Sequence, residues 1–216
     1  VSTPPARLLR GSRPLALAAL LTAAGCATPA IIVPTDPLSP DEHVRLGATY
    51  EREGRADLAA REYEVAIRRE RRHAGAHLGL GNLAAAGGDL VEAEQRYRAA
   101  LAVDPRLADA LNNLAWVYLQ RGEKADEAAS LARQALEAQP GRTAYYADTL
   151  GLALTRAGRP AEGVAALERA LAAVPPSETR LRAEVLGHVA EAYRALGREA
   201  DAQAAEAEAA RLPGKQ

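Results

Sequence analysis

Small residues recur along this chain at a fixed interval, and that interval limits the possible folds more than any other feature. Gly47, Gly81, Ala115 and Gly151 each follow a leucine (Leu46, Leu80, Leu114, Leu150), and seven residues further on stand Gly54, Gly88, Gly122 and Gly158. Ala66, Ala100, Ala135 and Ala170 repeat at 34, 35 and 35 residues, and Pro105, Pro140 and Pro175 at 35. A period of this size marks an array in which one short supersecondary unit stacks on copies of itself. Such a unit cannot bury its apolar face alone, so its stability comes from its neighbours.

Composition narrows the unit to helix. Aromatic residues make up 4% of the 216, and Met and Phe are absent. β and α/β domains draw more heavily on aromatic and β-branched residues. Slender helices packed through alanine do without them. The formal net charge is −1, and loss of a leader holding Arg7, Arg10 and Arg13 makes the rest more negative by three. Clustered positive charge is what nucleic acid requires, so nucleic acid is not an expected partner.

The pattern resembles the tetratricopeptide repeat (TPR) position by position over residues 40–211. The second unit carries Leu80, Gly81, Gly88, Ala93, Tyr97, Ala100 and Pro105 in register. The first has Leu46, Gly47, Tyr50, Gly54, Ala59, Tyr63 and Ala66, with Arg71 in place of the closing proline. The third has Leu114, Ala115, Tyr118, Gly122, Ala128, Ala135 and Pro140, with one extra residue in its central turn. The fourth departs furthest, holding Gly163 where a packing alanine is usual. The fifth, offset by Pro176-Ser177-Glu178, reads Val189, Ala190, Tyr193, Gly197, Ala202 and Ala209. The resemblance implies an all-α TPR solenoid of about five helix–turn–helix units. Gly or Ala in the first helix and Ala in the second let the pair approach closely, and glycine supplies the left-handed cap that ends the first helix.

The first forty residues read as an address and a tether. Residues 1–14 hold arginines and no acid, and Leu15 to Ala24 is an apolar run too short to span a bilayer, as in a secretory signal. It ends Ala23-Ala24-Gly25-Cys26, similar to the lipobox of bacterial lipoproteins, although leucine is usual where Ala23 stands. That resemblance implies acylation of Cys26, the only cysteine, and attachment to a membrane. An ordinary signal cut beside Gly25, leaving no lipid, is the alternative. The expected organisation is a signal peptide over 1–25, a Pro-rich tether over 26–39, the solenoid over 40–212 and a tail over 213–216. The tether contains Pro29, Pro34 and Pro37, which block helix. Ser39, Pro40 and Glu42 then predict a capped helix start.

In this family the first helix of each unit lines a concave groove. Carried onto this chain, the groove positions are Val44 and Ala48, Leu78 and Asn82, Asn112, Trp116 and Leu119, Tyr145, Asp148 and Leu152, and His188 and Glu191. Leu78 through Leu152 are the expected partner-binding residues, a mix suited to a peptide or protein segment. Trp116 packed between helices is the plainer reading of that residue. The carboxylate clamp of chaperone-binding relatives would need polar groups where this chain has Val44, Ala48, Gly79, Asp109 and Asn113, so that partner class is not expected. Arg68, Arg69, Arg71 and Arg72 end a helix, where positive charge offsets the dipole; an anionic membrane or glycan contact is the alternative. His73 and His77 lack companions for a metal set. No nucleophile elbow, phosphate loop or protease signature occurs, so neither catalysis nor a cofactor is expected.

The function implied is a scaffold lipid-anchored in a bacterial envelope, at the periplasmic face of the outer membrane. It would assist assembly of a pilus, secretion, outer-membrane or cell-wall complex. The alternative is a glycan-binding or accessory subunit of an envelope polysaccharide enzyme system.

Overall fold

The computed structural model describes residues 36–213, so the expected signal segment, Cys26 and most of the expected tether and tail lie outside the described residues. From Pro37 onward the chain is one unit. Its described residues form ten α-helices and no strand. They are α1 Pro40–Arg52, α2 Ala56–Arg69, α3 Ala74–Ala86, α4 Leu90–Val103, α5 Ala108–Arg121, α6 Ala125–Ala138, α7 Thr143–Arg156, α8 Pro160–Ala173, α9 Thr179–Ala195 and α10 Glu199–Arg211. A single 3-10 turn, Pro140–Arg142, precedes α7.

Local chemistry sets the helix ends. Ser39 Oγ accepts from the Glu42 N–H at 3.3 Å, and the Ser39 N–H donates to Glu42 Oε2 at 2.7 Å, with Pro40 at the first turn. The Ser39 backbone bond holds the Glu42 carboxyl below the usual carboxylate range. Five glycines end the odd-numbered helices with φ between 67° and 82°: Gly54, Gly88, Gly122, Gly158 and Gly197. L-residues rarely adopt that backbone conformation, which explains glycine at each of these turns.

Each odd helix packs antiparallel on the even helix that follows. Consecutive odd helices also touch one another, from α1 to α9, while no two even helices do. The odd helices therefore form the tighter, inner layer and the even helices the outer one. Inside each pair, alanine makes the seam: Ala59, Ala66, Ala93, Ala100, Ala128, Ala135, Ala170 and Ala202 have no exposed surface. Tyr63, Tyr97, Tyr118 and Tyr146 supply the large buried rings that phenylalanine would provide elsewhere.

Each ring needs a seat and a partner for its hydroxyl. A Cβ added at Gly47 or Gly79 would come within 2.7 and 2.3 Å of the Tyr63 ring, so Tyr63 lies wedged between α1 and α3. Tyr97 occupies the space a side chain at Gly81 would need, at 2.5 Å. The tyrosine hydroxyls then donate to Glu51, Asn82, Glu127 and Asp109. Burial, followed by the bond to Asp109, pushes the Tyr146 hydroxyl up to about 12, so it remains a protonated donor.

The extra residue of the third unit is Lys124, which adopts a left-handed φ of 53°. What holds it is Glu94 on α4, a carboxylate only 7% exposed. Glu94 meets Arg98 at 2.8 Å, Arg121 at 2.5 Å and Lys124 at 3.2 Å. Burial would raise the Glu94 pKa, but the Lys124 bond and the charges of Arg98 and Arg121 outweigh it and the carboxyl is held low. The insertion thus ties the α5–α6 turn back to α4. Lys124→Ala keeps the strained backbone and loses the ion pair, whereas Lys124→Gly loses the pair and relieves the strain. Thermal denaturation should rank wild type and the glycine variant above the alanine variant.

Candidate partner-binding groove

On the inner layer, α5, α7 and α9 enclose an open cavity of about 510 Å³. Helix α5 contributes Asn112, Asn113 and Trp116, and α7 contributes Tyr145, Asp148 and Thr149. Helix α9 closes it with Leu181, Glu184 and His188 among others. Each set has helical spacing, so the side chains share one face of their helix.

The walls are hydrogen-bonded to one another. His188 Nδ1 lies 2.7 Å from Asp148 Oδ1, and its ring lies 6.0 Å from the Trp116 ring. This contact fastens α9 to α7 across the cavity floor, at side chains that are mostly covered. Tyr145 is more exposed and donates to Glu178 at 3.2 Å, while Arg142 lies 5.1 Å from its ring centre.

A chain of amides runs into the cavity from the second unit. Asn82 Oδ1 accepts from Tyr97 at 3.1 Å and from Asn113 Nδ2 at 2.9 Å. Asn113 Oδ1 faces Asn112 Nδ2 at 3.5 Å, and Asn112 Oδ1 ends the chain as a buried acceptor without a partner. In this arrangement the Tyr97 hydroxyl donates to Asn82, and each amide then donates to the oxygen of the one before it.

A family model described as the tetratricopeptide repeat matches residues 44–99 and 92–143. Solved structures extend the likeness over most of the chain. A thermophilic TPR protein of Thermus thermophilus has 24% identity and a TM-score of 0.61, covering 82% of this chain and 93% of that one. PilF of Pseudomonas aeruginosa has 23% identity and a TM-score of 0.66, covering 82% and 78%. The fold is that of the tetratricopeptide repeat. YrrB, described as a TPR protein with an unusual peptide-binding site, shares it at 16% identity and a TM-score of 0.63, covering 79% and 84%. No curated protein sequence matches the chain.

Within the TPR frame the expected groove residues separate. Asn112, Trp116, Tyr145 and Asp148 meet around the one cavity. Asn82 lines a smaller neighbouring cleft that also reaches Trp116 and Asn113. Leu78 is partly covered and packs against the core. Leu119 and Leu152 were expected in the groove and are not there: at 3% and 1% exposure they belong to the core. Helix α7 touches α5, α6, α8 and α9, so the far end of its inner face is swallowed together with that of α5. Glu191 pairs with Arg156 at 2.9 Å. Trp116 packs partly against the core and also lines the cavity.

Sequence reasoning missed Leu181 and Glu184. They precede His188 by seven and four residues, the helical spacing that would have found them once α9 is known to start at Thr179. The clamp positions have structural duties: Gly79 seats Tyr63, Asn113 joins the amide chain, and Asp109 holds Arg142 at 2.6 Å. Among the described residues no group of three His, Cys, Asp or Glu could hold a metal, and no helix is long and apolar enough to cross a membrane.

Proposed function

We propose that this protein is a scaffold, lipid-anchored in a bacterial envelope, that holds a protein or peptide partner between α5, α7 and α9 during assembly of an envelope complex. TPR proteins mediate protein–protein interaction and take peptide or protein partners in a groove. The observation that carries the reading here is the cavity itself, where Trp116 and Tyr145 stand beside an unpaired amide acceptor and carboxylates. Aromatic anchors beside polar groups that fix orientation are the make-up of a binding hot spot.

The anchor rests on Cys26, the sole cysteine, placed directly after an apolar run and small residues. In-cell crosslinking of the full chain followed by affinity purification should recover a defined protein partner. Retention on a polysaccharide column without such a partner would favour the glycan-binding alternative. Intact mass of membrane-extracted protein should show lipid on Cys26, and Cys26→Ala should move the protein to the soluble fraction. A mature form beginning after Ala27 and carrying no lipid would overturn the anchor.

A further inference from the structure

The charged side chains that line the cavity between α5, α7 and α9 are carboxylates, one of them in contact with His188. Among the described residues Asp148 and Glu184 line it, and no lysine or arginine does. Glu178 lies just outside, on the Tyr145 hydroxyl. Asn112 adds a buried side-chain oxygen with no hydrogen-bond partner among the described residues. Two aromatic side chains, Trp116 from α5 and Tyr145 from α7, stand on adjacent helices of the wall. Acceptors, negative charge and aromatic faces together call for a cationic donor.

We propose that the cavity receives an arginine side chain of the partner polypeptide. A guanidinium is planar, stacks on aromatic faces and donates in a fork that suits a carboxylate. An ammonium offers a compact, strongly hydrated charge and fits this wall less well. The protein's own arginines show the same affinity at the rim, where Arg142 lies against Tyr145. They do not fill the cavity. Arg142 is held by Asp109, and Arg180 pairs with Glu184 at 3.0 Å from a side chain 90% exposed. An exposed pair of that kind is weak, and an arriving guanidinium can share the carboxylate. The inference rests on the scaffold reading and names the residue type that the groove selects.

Trp116 is the sole tryptophan, so tryptophan emission reports on this cavity and the cleft beside it. The full chain is titrated at matched ionic strength with N-acetyl-arginine methylamide and with its neutral isostere, N-acetyl-citrulline methylamide. The arginine compound should give a saturable change with a millimolar dissociation constant, and the citrulline compound none. Glu184→Gln should raise that constant about threefold and Asp148→Asn about tenfold, the latter equal to roughly 1.4 kcal/mol. Because Asp148 also holds His188, circular dichroism accompanies that variant, and the exposed Glu184 variant decides if it misfolds. Equal responses to the two compounds, no saturable response, or an unaltered constant in Glu184→Gln overturns the proposal. A crosslinked partner lost on Trp116→Ala despite a failed titration leaves the scaffold reading intact and rejects only the arginine.

Discussion

Gly163→Ala should destabilise the protein by about 2 kcal/mol, although alanine is the better helix former by roughly 1 kcal/mol. Alanine fills the equivalent slot in the other units, at Ala59, Ala93, Ala128 and Ala202, all with no exposed surface. In the fourth unit a Cβ at Gly163 would come within 2.3 Å of Thr155 Oγ1 and 2.8 Å of the Gly151 carbonyl. Gly151 is equally confined, its Cβ position lying 2.5 Å from Leu167 and 2.9 Å from the Gly163 carbonyl. Helices α7 and α8 thus meet backbone to backbone, and one added methyl must push a main chain aside. Overpacking costs typically 1–3 kcal/mol, and a backbone neighbour places this case at or above the upper end before the propensity gain is returned. For a chain of this size the melting temperature should fall by about 4–8 °C. Thr155 donates to the Gly151 carbonyl at 2.8 Å, so its hydroxyl is half of the obstruction. Thr155→Ala combined with Gly163→Ala should recover part of the loss, a coupling of about 1 kcal/mol in a double-mutant cycle. A melting temperature unchanged by Gly163→Ala would contradict this close approach.

Trp116→Ala should weaken a partner recovered by crosslinking at least about tenfold while helix content stays near normal. Truncating a hot-spot residue costs about 2 kcal/mol or more, and 1.4 kcal/mol is tenfold. The side chain is only partly covered, and the helices around it keep their alanine and tyrosine seams, which it does not form. Were Trp116 essential to the core instead, the fold would loosen and binding would fall only in proportion to the folded protein lost. Circular dichroism and binding measured on the same sample separate the two outcomes. A well-folded variant that binds unchanged would remove Trp116 from the site.

Much of the architecture was legible in the residues because a repeat states its packing rules several times. Gly54, Gly88, Gly122, Gly158 and Gly197 announced the turns, and all five have positive φ. Alanine at the seam positions announced the close helix pairs, and those alanines are buried. The departures carried information of a kind no register could decode. Gly163 looked like a lapse from the pattern, yet it accommodates the Thr155 hydroxyl and the Gly151 carbonyl. The additional residue in the α5–α6 turn broke the common unit length, and Lys124 there reaches Glu94 on another helix.

The sequence by itself determined the helical units, their ends and their order, since capping, turn geometry and seam packing depend on residues close along the chain. It also brought Asn112, Trp116, Tyr145 and Asp148 under suspicion together, through the groove positions that the resemblance to the TPR implies. Only the tertiary structure decided how far along those faces solvent reaches. Leu119 and Leu152 stand at groove positions that the resemblance implies, but α7 is enclosed by four helices and both leucines are buried. Only the structure brought Glu184 and His188 of α9 against α5 and α7, because stacking between units, not the local pattern, sets that distance. A periodic sequence specifies each layer of such an array, and the curvature that opens or closes its inner surface is the sum of all the contacts between layers.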